Sequence, residues 1–342
     1  MVGGVTIFNK WIMKKILFLL VFLFLGSIGT LSSRGLDVPT QPPLLKEKDK
    51  VAIVAPASKV EESKRVIEKA TEIFRSWGLE VVLGKYVSVN SCNTFAGSDA
   101  QRAEDLQWAL DDPTIKAVFS LRGGYGTTRI VDQLDFTQFL RNPKWVIGFS
   151  DITTLHIRLH NLGVASAHGA VPILFSNPQH KASINSLRTL LFEGTAHLTA
   201  PANSLNRLGA VTAPVVGGNL ILICNNMETL SALDTKNKIL VIEEVGEHLY
   251  ALDRIMVQLK RAGKLRDLAG LVVGKMVYMQ DLLSLPMNKS AEEIIREHIA
   301  SYNYPVAFQF PIGHQAPNLA FPHGSIGTLC VGNDKASLIF KK

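Results

Sequence analysis

Three residue types able to carry acyl-transfer chemistry stand at the ends of apolar runs in this chain. In "IGFSDITTL" (residues 147–155) a hydrophobic run breaks at Ser150 and resumes with a helical pattern. A serine at such a bend has two readings. Its oxygen can cap the helix that follows, or it can be a nucleophile held at a strand end, as in the G-x-S-x-G elbow, whose second glycine is absent here. Taken alone, the motif favours the cap. Glu243 and Glu244 end the run "KILVI", where an acidic pair is either solvated or functional. His314 lies in "FPIGHQAPN", a Gly/Pro-containing loop able to hold an imidazole rigidly, although a lone loop histidine is often incidental.

A glycine-rich stretch, "RGGYG" (122–126), follows another apolar run. Its glycines permit tight turns and can present N–H groups to an anion. The backbone N–H groups of Gly124 and Asp151 are therefore candidates for one oxyanion hole. The spacing matches neither G-x-G-x-x-G nor the P-loop, so nucleotide binding is not implied. The order Ser…Glu…His is that of the α/β-hydrolases, in which the histidine takes the serine proton and the carboxylate fixes the imidazole. His156 and His160 are spaced to share a helix face but lack the glutamate of H-E-x-x-H, so they read as surface or packing residues and no metal site is assigned. His168, in "SAHGAVP", reads equally as a site residue or a structural one.

These residues need a scaffold that brings strand ends together. "KVAIVAPAS" (50–58), 79–84, 115–121 and 144–150 read as strands, and 61–77 and 98–110 as helices, with Val66, Ala70, Ile73 and Trp77 inward on the first and Ala103, Leu106 and Leu110 inward on the second. A further helix after Ser150 carries the stripe Ile152, Leu155, Leu159 and Leu162. Strands alternating with helices imply a parallel sheet covered on both faces, Rossmann- or flavodoxin-like, with ligands outside the carboxyl ends of the strands. Residues 176–210 read as a connection with one helix near 182–193. The second half opens with "APVVGGNLILI", then strands at 238–245 and 268–274, helices at 250–262 and 290–300, and short strands at 326–331 and 336–340. It is expected to be a smaller mixed α/β domain. The division is thus 47–175 for the serine-bearing domain and 211–342 for the domain bearing Glu243 and His314.

The 342 residues carry a formal net charge of +7, but Lys10, Lys14, Lys15 and Arg34 fall within the first 34, which hold no acidic residue. The remainder has 32 basic against 29 acidic residues, which does not suggest a nucleic-acid partner. Lys14-Lys15, an apolar run to Leu25 and small residues after it have the order of a secretory signal peptide, with an uncleaved anchor as the rival. That segment implies export to the periplasm or cell envelope, with contact to a membrane only if it stays attached. Residues 35–46 read as a spacer. Cys92, Cys224 and Cys330 suggest neither a disulfide framework nor a zinc ribbon and read as buried thiols.

The blocks "VAIVAPAS", "FAGSDAQRAEDLQWALDDPTIKAVFSLRGGYGTTRIVDQLD", "IGFSDITTL", "VVGGNL", "ILVIEEVGEHLYALDRIMVQL" and "PIGHQAPN" occur in this order over about residues 47–332. Together they resemble the LD-carboxypeptidases, serine peptidases that include muramoyltetrapeptide carboxypeptidases and microcin C immunity peptidases. The resemblance implies a two-domain enzyme with no cofactor, a triad of Ser150, Glu243 and His314, and oxyanion donors on Gly124 and Asp151. "HGAVP" departs from the family pattern and leaves the role of His168 open. The implied reaction releases D-alanine from the L-centre of a murein tetrapeptide. An antibiotic-cleaving immunity peptidase with the same triad is the alternative, and an exported two-lobe binding protein is the alternative of another class. A homodimer is implied, and Arg122, Arg129 and Arg254 are candidates to receive a terminal carboxylate.

Overall fold

The computed structural model describes residues 39–89 and 94–342. The chain starts with β1 (Lys50–Val54), α1 (Ser63–Ser76), β2 (Glu80–Leu83), α2 (Asp99–Asp111) and β3 (Ile115–Ser120). It continues through α3 (Thr137–Arg141), β4 (Trp145–Gly148), α4 (Thr153–Asn161) and β5 (Ser166–His168). The strands β2-β1-β3-β4-β5 pair in parallel, in that spatial order. This is the flavodoxin-like order of the two expected, and its topological switch point lies between β1 and β3. Val51 to Val54 and Trp145 to Gly148 are buried throughout, as strands covered on both faces must be.

The second half contributes α5 (Lys181–Glu193), β6 (Ala196–Pro201), β7 (Gly209–Asn219), α6 (Leu220–Asn225), β8 (Ile239–Val245), α7 (Leu249–Arg261) and β9 (Gly270–Val277). It ends with α8 (Ala291–His298), β10 (Val306–Ala307), β11 (Phe321–His323), β12 (Ile326–Val331) and β13 (Lys335–Phe340). A mixed sheet runs β10-β9-β8-β7-β12-β13-β6, parallel from β10 to β7 and antiparallel beyond. Among the described residues the first sheet, counting β11, has six strands and this sheet has seven. β11 leaves it and pairs antiparallel with β5. The described residues form one compact unit.

Three details differ from the sequence reading. On α1 the buried residues are Ile67, Ala70 and Phe74, one position round from Val66 and Ile73, because the Phe74 ring packs against Phe119 and Phe175 at 4.4 and 5.3 Å. Residues 176–210 are not a bare connection: Leu187, Leu190 and Leu191 of α5 join the core of the first sheet, and β6 pairs with β13. Residues 39–46 of the expected spacer are laid on the first sheet's core. The Thr40 N–H donates to Gly163 O (2.7 Å), Trp145 Nε1–H donates to Pro43 O (2.9 Å), and Leu45 is buried.

Cys224 is buried and Cys330 exposed, both free, so the expectation of buried thiols fails at Cys330; Cys92 lies outside the described residues. Among the described residues no helix is long and apolar enough to cross a membrane. The N-terminal run expected as a signal or anchor lies outside them. α4 is buried almost all round: Leu155 and Leu159 pack under the first sheet, while Ile157 joins Val216 and Leu220 at the second. One helix thus carries both cores, and it begins three residues after Ser150.

Candidate active site

β4 reaches Gly148 and the chain then reverses through a single 3-10 turn, Ser150–Ile152, before α4. Ser150 has φ of 63°, a left-handed conformation uncommon for a residue with a side chain. Such a conformation costs about 1–3 kcal/mol and persists where the surroundings enforce it. Two glycines make the room. A Cβ on Gly148 would lie 2.7 Å from the Ile152 side chain, and one on Gly123 would lie 2.9 Å from Ser150 Cβ. Ile152 therefore occupies the place of the elbow's missing second glycine by filling space that Gly148 leaves open. Neither the turn nor α4 has a side-chain cap, so the cap reading does not describe what the Ser150 hydroxyl does.

That hydroxyl instead lies 3.0 Å from His314 Nε2, and His314 Nδ1 lies 2.7 Å from Glu243 Oε2. An ionised carboxylate only accepts, so Nδ1 carries the proton and Nε2 is left to accept from Ser150 O–H. The fold sets each partner in turn. Glu243 is in the buried strand β8, level with Asn219 of β7, and is fully buried. Gly313 has φ of 119°, and a Cβ there would come within 2.7 Å of Glu243 Oε2, so only glycine lets the His314 loop lie on the carboxylate. The Phe149 ring packs 5.1 Å from the His314 ring. Burial pulls the His314 pKa down, but the Glu243 hydrogen bond and charge, with Glu244 adding, raise it above the ordinary histidine value.

Glu243 and Glu244 point to opposite faces, as neighbours in a strand do. Glu244 accepts from Asn219 Nδ2 (2.8 Å), Ile221 N–H (2.7 Å) and Val245 N–H (2.9 Å), closing the first turn of α6. Burial pushes its pKa up to about 7, with the charge of Glu243 adding to the effect and these donors opposing it.

The loop after β3 is braced from β1. Gly124 has φ of 108°, and a Cβ would collide with Ser58 Oγ at 2.4 Å. Ser58 Oγ accepts the Tyr125 N–H (3.0 Å). The buried Arg102 donates to Pro56 O and Gly126 O and pairs with Asp99, tying the ends of β1 and β3 together. Asp151 Oδ2 accepts the Thr127 N–H at 2.8 Å, which joins the serine turn to the same loop. Burial raises the Asp151 pKa, and its donors oppose that rise. Among the described residues neither the Gly124 nor the Asp151 N–H has a protein acceptor.

Arg129 is held by both oxygens of Asp99, and Arg254 lies over the Tyr250 ring. Arg122, on the glycine loop itself, donates only to Lys59 O (3.2 Å) and has no carboxylate partner among the described residues. Of the other sequence-marked histidines, His156 and His168 are buried and His160 is half-buried. His156 bonds Gly148 O (3.0 Å) and Ser166 Oγ (2.8 Å), His160 packs against His323, and His168 bonds Asn318 (3.2 Å). Ser58, Arg102, Asn219 and Asn318 fall within the blocks quoted above but were not singled out there as site residues.

A serine, an imidazole and a buried carboxylate joined in one hydrogen-bonded line have the geometry to pass the serine proton to the imidazole, which is chemistry suited to hydrolysis. Residues 51–169 match the LD-carboxypeptidase N-terminal domain and residues 212–329 the LD-carboxypeptidase C-terminal domain. A probable murein peptide carboxypeptidase of Bacillus subtilis (strain 168) is 34% identical over 294 residues, covering 83% of this chain and 90% of that protein. The crystal structure of muramoyltetrapeptide carboxypeptidase from Oxalobacter formigenes superimposes with a TM-score of 0.77 at 25% identity, covering 86% of this chain and 99% of that one. A microcin C7 self-immunity protein bound to aspartyl sulfamoyl adenosine shares the fold, with a TM-score of 0.78 at 19% identity over 89% of this chain and 99% of its own. The chain belongs to the LD-carboxypeptidase family and is a peptidase.

Proposed function

We propose that the chain is a metal-independent serine carboxypeptidase that releases terminal D-alanine from murein tetrapeptide in the periplasm or cell envelope. The observation that carries this reading is the line Ser150–His314–Glu243, with contacts of 3.0 and 2.7 Å. His314 takes the Ser150 proton as Oγ attacks the scissile carbonyl, and Glu243 holds the imidazolium that forms. The oxyanion is received by the Gly124 and Asp151 N–H groups at the two strand ends. His314 then gives its proton to the departing amine of D-alanine, and water activated by the same imidazole frees the tripeptide acyl group.

Removal of a single terminal residue requires a cation for its carboxylate. Arg122 suits this role because it lies on the glycine loop that carries the Gly124 oxyanion donor and has no acidic partner among the described residues. Arg122→Ala is expected to raise KM for tetrapeptide about 10-fold or more with a smaller change in kcat; an unchanged KM would reject Arg122. Export through the N-terminal segment and a homodimeric assembly belong to the same reading. The immunity-type alternative has the shared fold alone in its support, at 19% identity. A two-lobe binding protein would have no use for a serine held in a left-handed turn against a histidine.

The decisive experiment is mass spectrometry of the products from murein tetrapeptide, for the parent and Ser150→Ala. The parent is expected to yield tripeptide and alanine, with a chelator present or absent. Ser150→Ala is expected to lose about 10⁶ in kcat, by analogy with other serine triads. Hydrolysis that survives the substitution would remove Ser150 as nucleophile.

A further inference from the structure

His168, the last residue of β5, is fully buried, and its Nε2 lies 3.2 Å from Asn318 Oδ1. The same Oδ1 accepts the Gly313 N–H at 3.0 Å. That second contact identifies the Asn318 atom as the oxygen, so His168 must be the donor, with its proton on Nε2. Its other nitrogen, Nδ1, is buried with no protein partner among the described residues. A buried unpaired acceptor is costly, and a purely apolar side chain would pack here without it. The ring stacks on Phe321 at 4.7 Å and meets the edge of Phe149 at 5.9 Å, while Phe149 also faces His314. Asn318 is held independently through its own N–H, which donates to Ser183 Oγ at 2.9 Å. The turn 313–318 is thus closed by one amide, and that amide is oriented by one imidazole.

We propose that His168 and Asn318 form a positioning pair: the His168 N–H fixes the Asn318 amide, which clamps Gly313 and so sets the His314 ring between Ser150 and Glu243. The pair rests on the reading of His314 as the general base, and it never touches the reacting atoms. Burial, with His156 nearby, holds the His168 pKa down to about 3, so the same neutral donor persists at every pH where the peptidase would work. The link joins β5 of the first sheet to the loop of the second half that carries His314. Loss of alignment by about 1 Å at such a group costs on the order of 10²-fold in rate.

The test is steady-state kinetics of the full-length enzyme on murein tetrapeptide, with a melting curve for each variant. His168→Phe keeps the ring stack on Phe321 and removes only the donor and the unpaired nitrogen. It is expected to lower kcat about 10- to 100-fold, leave KM within about 3-fold, and leave the melting temperature equal or higher. His168→Gln, which still offers an N–H at similar reach, is expected to recover most of that loss. A structural role alone predicts the reverse pattern, with activity tracking stability and no rescue by glutamine. That outcome, or a kcat for His168→Phe within about 2-fold of the parent, overturns the pair. Should His168→Phe fail to fold, Asn318→Ala decides, because it opens the same clamp and leaves the β5 core intact; an unchanged kcat there overturns the proposal. Ser150→Ala keeps the two readings apart. Activity surviving in it would overturn the general-base reading and the pair's purpose with it, whereas loss in Ser150→Ala beside full turnover in His168→Phe would overturn the pair alone.

Discussion

His314 and the four histidines behind it are the same side chain under opposite conditions. His156, His160, His168 and His323 lie within one cluster, with ring centroids of 5.6 Å for His156–His323, 5.7 Å for His160–His323 and 6.5 Å for His156–His168. Burial drives the pKa of His156 and His160 to about 4 and that of His168 to about 3, and it takes His323 well below the ordinary value. His314 is largely buried as well, with a side chain 19% exposed, yet its pKa is raised. The difference is Glu243. Burial alone makes a histidine a fixed neutral hydrogen-bonding group, whereas burial with a carboxylate makes one that can carry a proton near neutrality. The molecule uses the first kind to hold backbone at Gly148 and Gly217 and the side-chain amide of Asn318, and the second kind at Ser150.

Glu243→Gln is the strongest way to break this contrast. It removes the charge that raises His314, puts a neutral amide that can donate as well as accept in place of an acceptor-only carboxylate, and leaves the burial that lowers the pKa. On the proposed reading kcat for tetrapeptide is expected to fall about 10⁴-fold, since the imidazole loses the partner that fixes its tautomer. The base must be neutral to act, so the rate rises with pH through the His314 pKa. In the parent that limb lies above the ordinary value of about 6.5, and in the variant it moves to lower pH. A limb that stays in place would mean that Glu243 does not govern His314.

The contrast is sharpened from the other side by His323→Gln. The parent histidine accepts the Gly217 N–H through Nε2 at 3.0 Å, and a glutamine oxygen can take that bond without titrating. A histidine whose folded pKa is depressed binds its proton only when unfolded, between its folded value and about 6.5. Its contribution to stability is therefore complete above about pH 6.5 and is lost as pH falls below it. Removing that group is expected to flatten the acid slope of unfolding free energy by about 1.4 kcal/mol per pH unit, one proton's worth. Urea titrations of parent and variant over about two pH units below about 6.5 would measure it. Parallel slopes would show that His323 is charged in the folded state.

The two regions also differ in how far the sequence disclosed them. Ser150, Glu243 and His314 end apolar runs or sit in a Gly/Pro loop, so their positions at strand ends follow from local pattern and from the rule that parallel sheets bind at carboxyl ends. Their meeting does not follow locally, because 164 residues separate Ser150 from His314. The histidine cluster was hidden for a related reason. Its members come from α4, β5 and β11, and the pairing of β11 with β5 is a long-range event that no periodicity encodes. Arg102 was concealed by its type: a charged residue on α2 reads as solvent-facing, yet it is buried because three acceptors meet its guanidinium. On α1 the apolar stripe was legible but its centre was misplaced, since spacing alone does not say that Phe74 reaches furthest into the core.

The smallest effect should come from Glu244, where the contrast narrows to two adjacent carboxylates. Glu243 faces an imidazole; Glu244 faces one side-chain amide and two backbone N–H groups. In Glu244→Gln the amide oxygen can keep the bonds from Asn219 and Val245, but its NH₂ would oppose the Ile221 N–H, so one donor of α6 loses its acceptor. The lost charge also withdraws the weakest of the influences that raise His314. The expected result is a loss of about 1–2 kcal/mol in stability, the usual cost of one unsatisfied buried group. The acid limb of kcat/KM should shift toward lower pH by only a few tenths of a unit, about what a secondary charge contributes. Replacing a group whose pKa is pushed up to about 7 also removes a stability loss that the parent suffers as pH rises through that value, because the folded state holds this proton more tightly than the unfolded one. The variant should therefore compare worst with the parent at acid pH and regain ground above neutrality. A collapse of kcat to the level of Glu243→Gln would instead mean that the two carboxylates act as one unit, and the division of labour between the faces of β8 would be wrong.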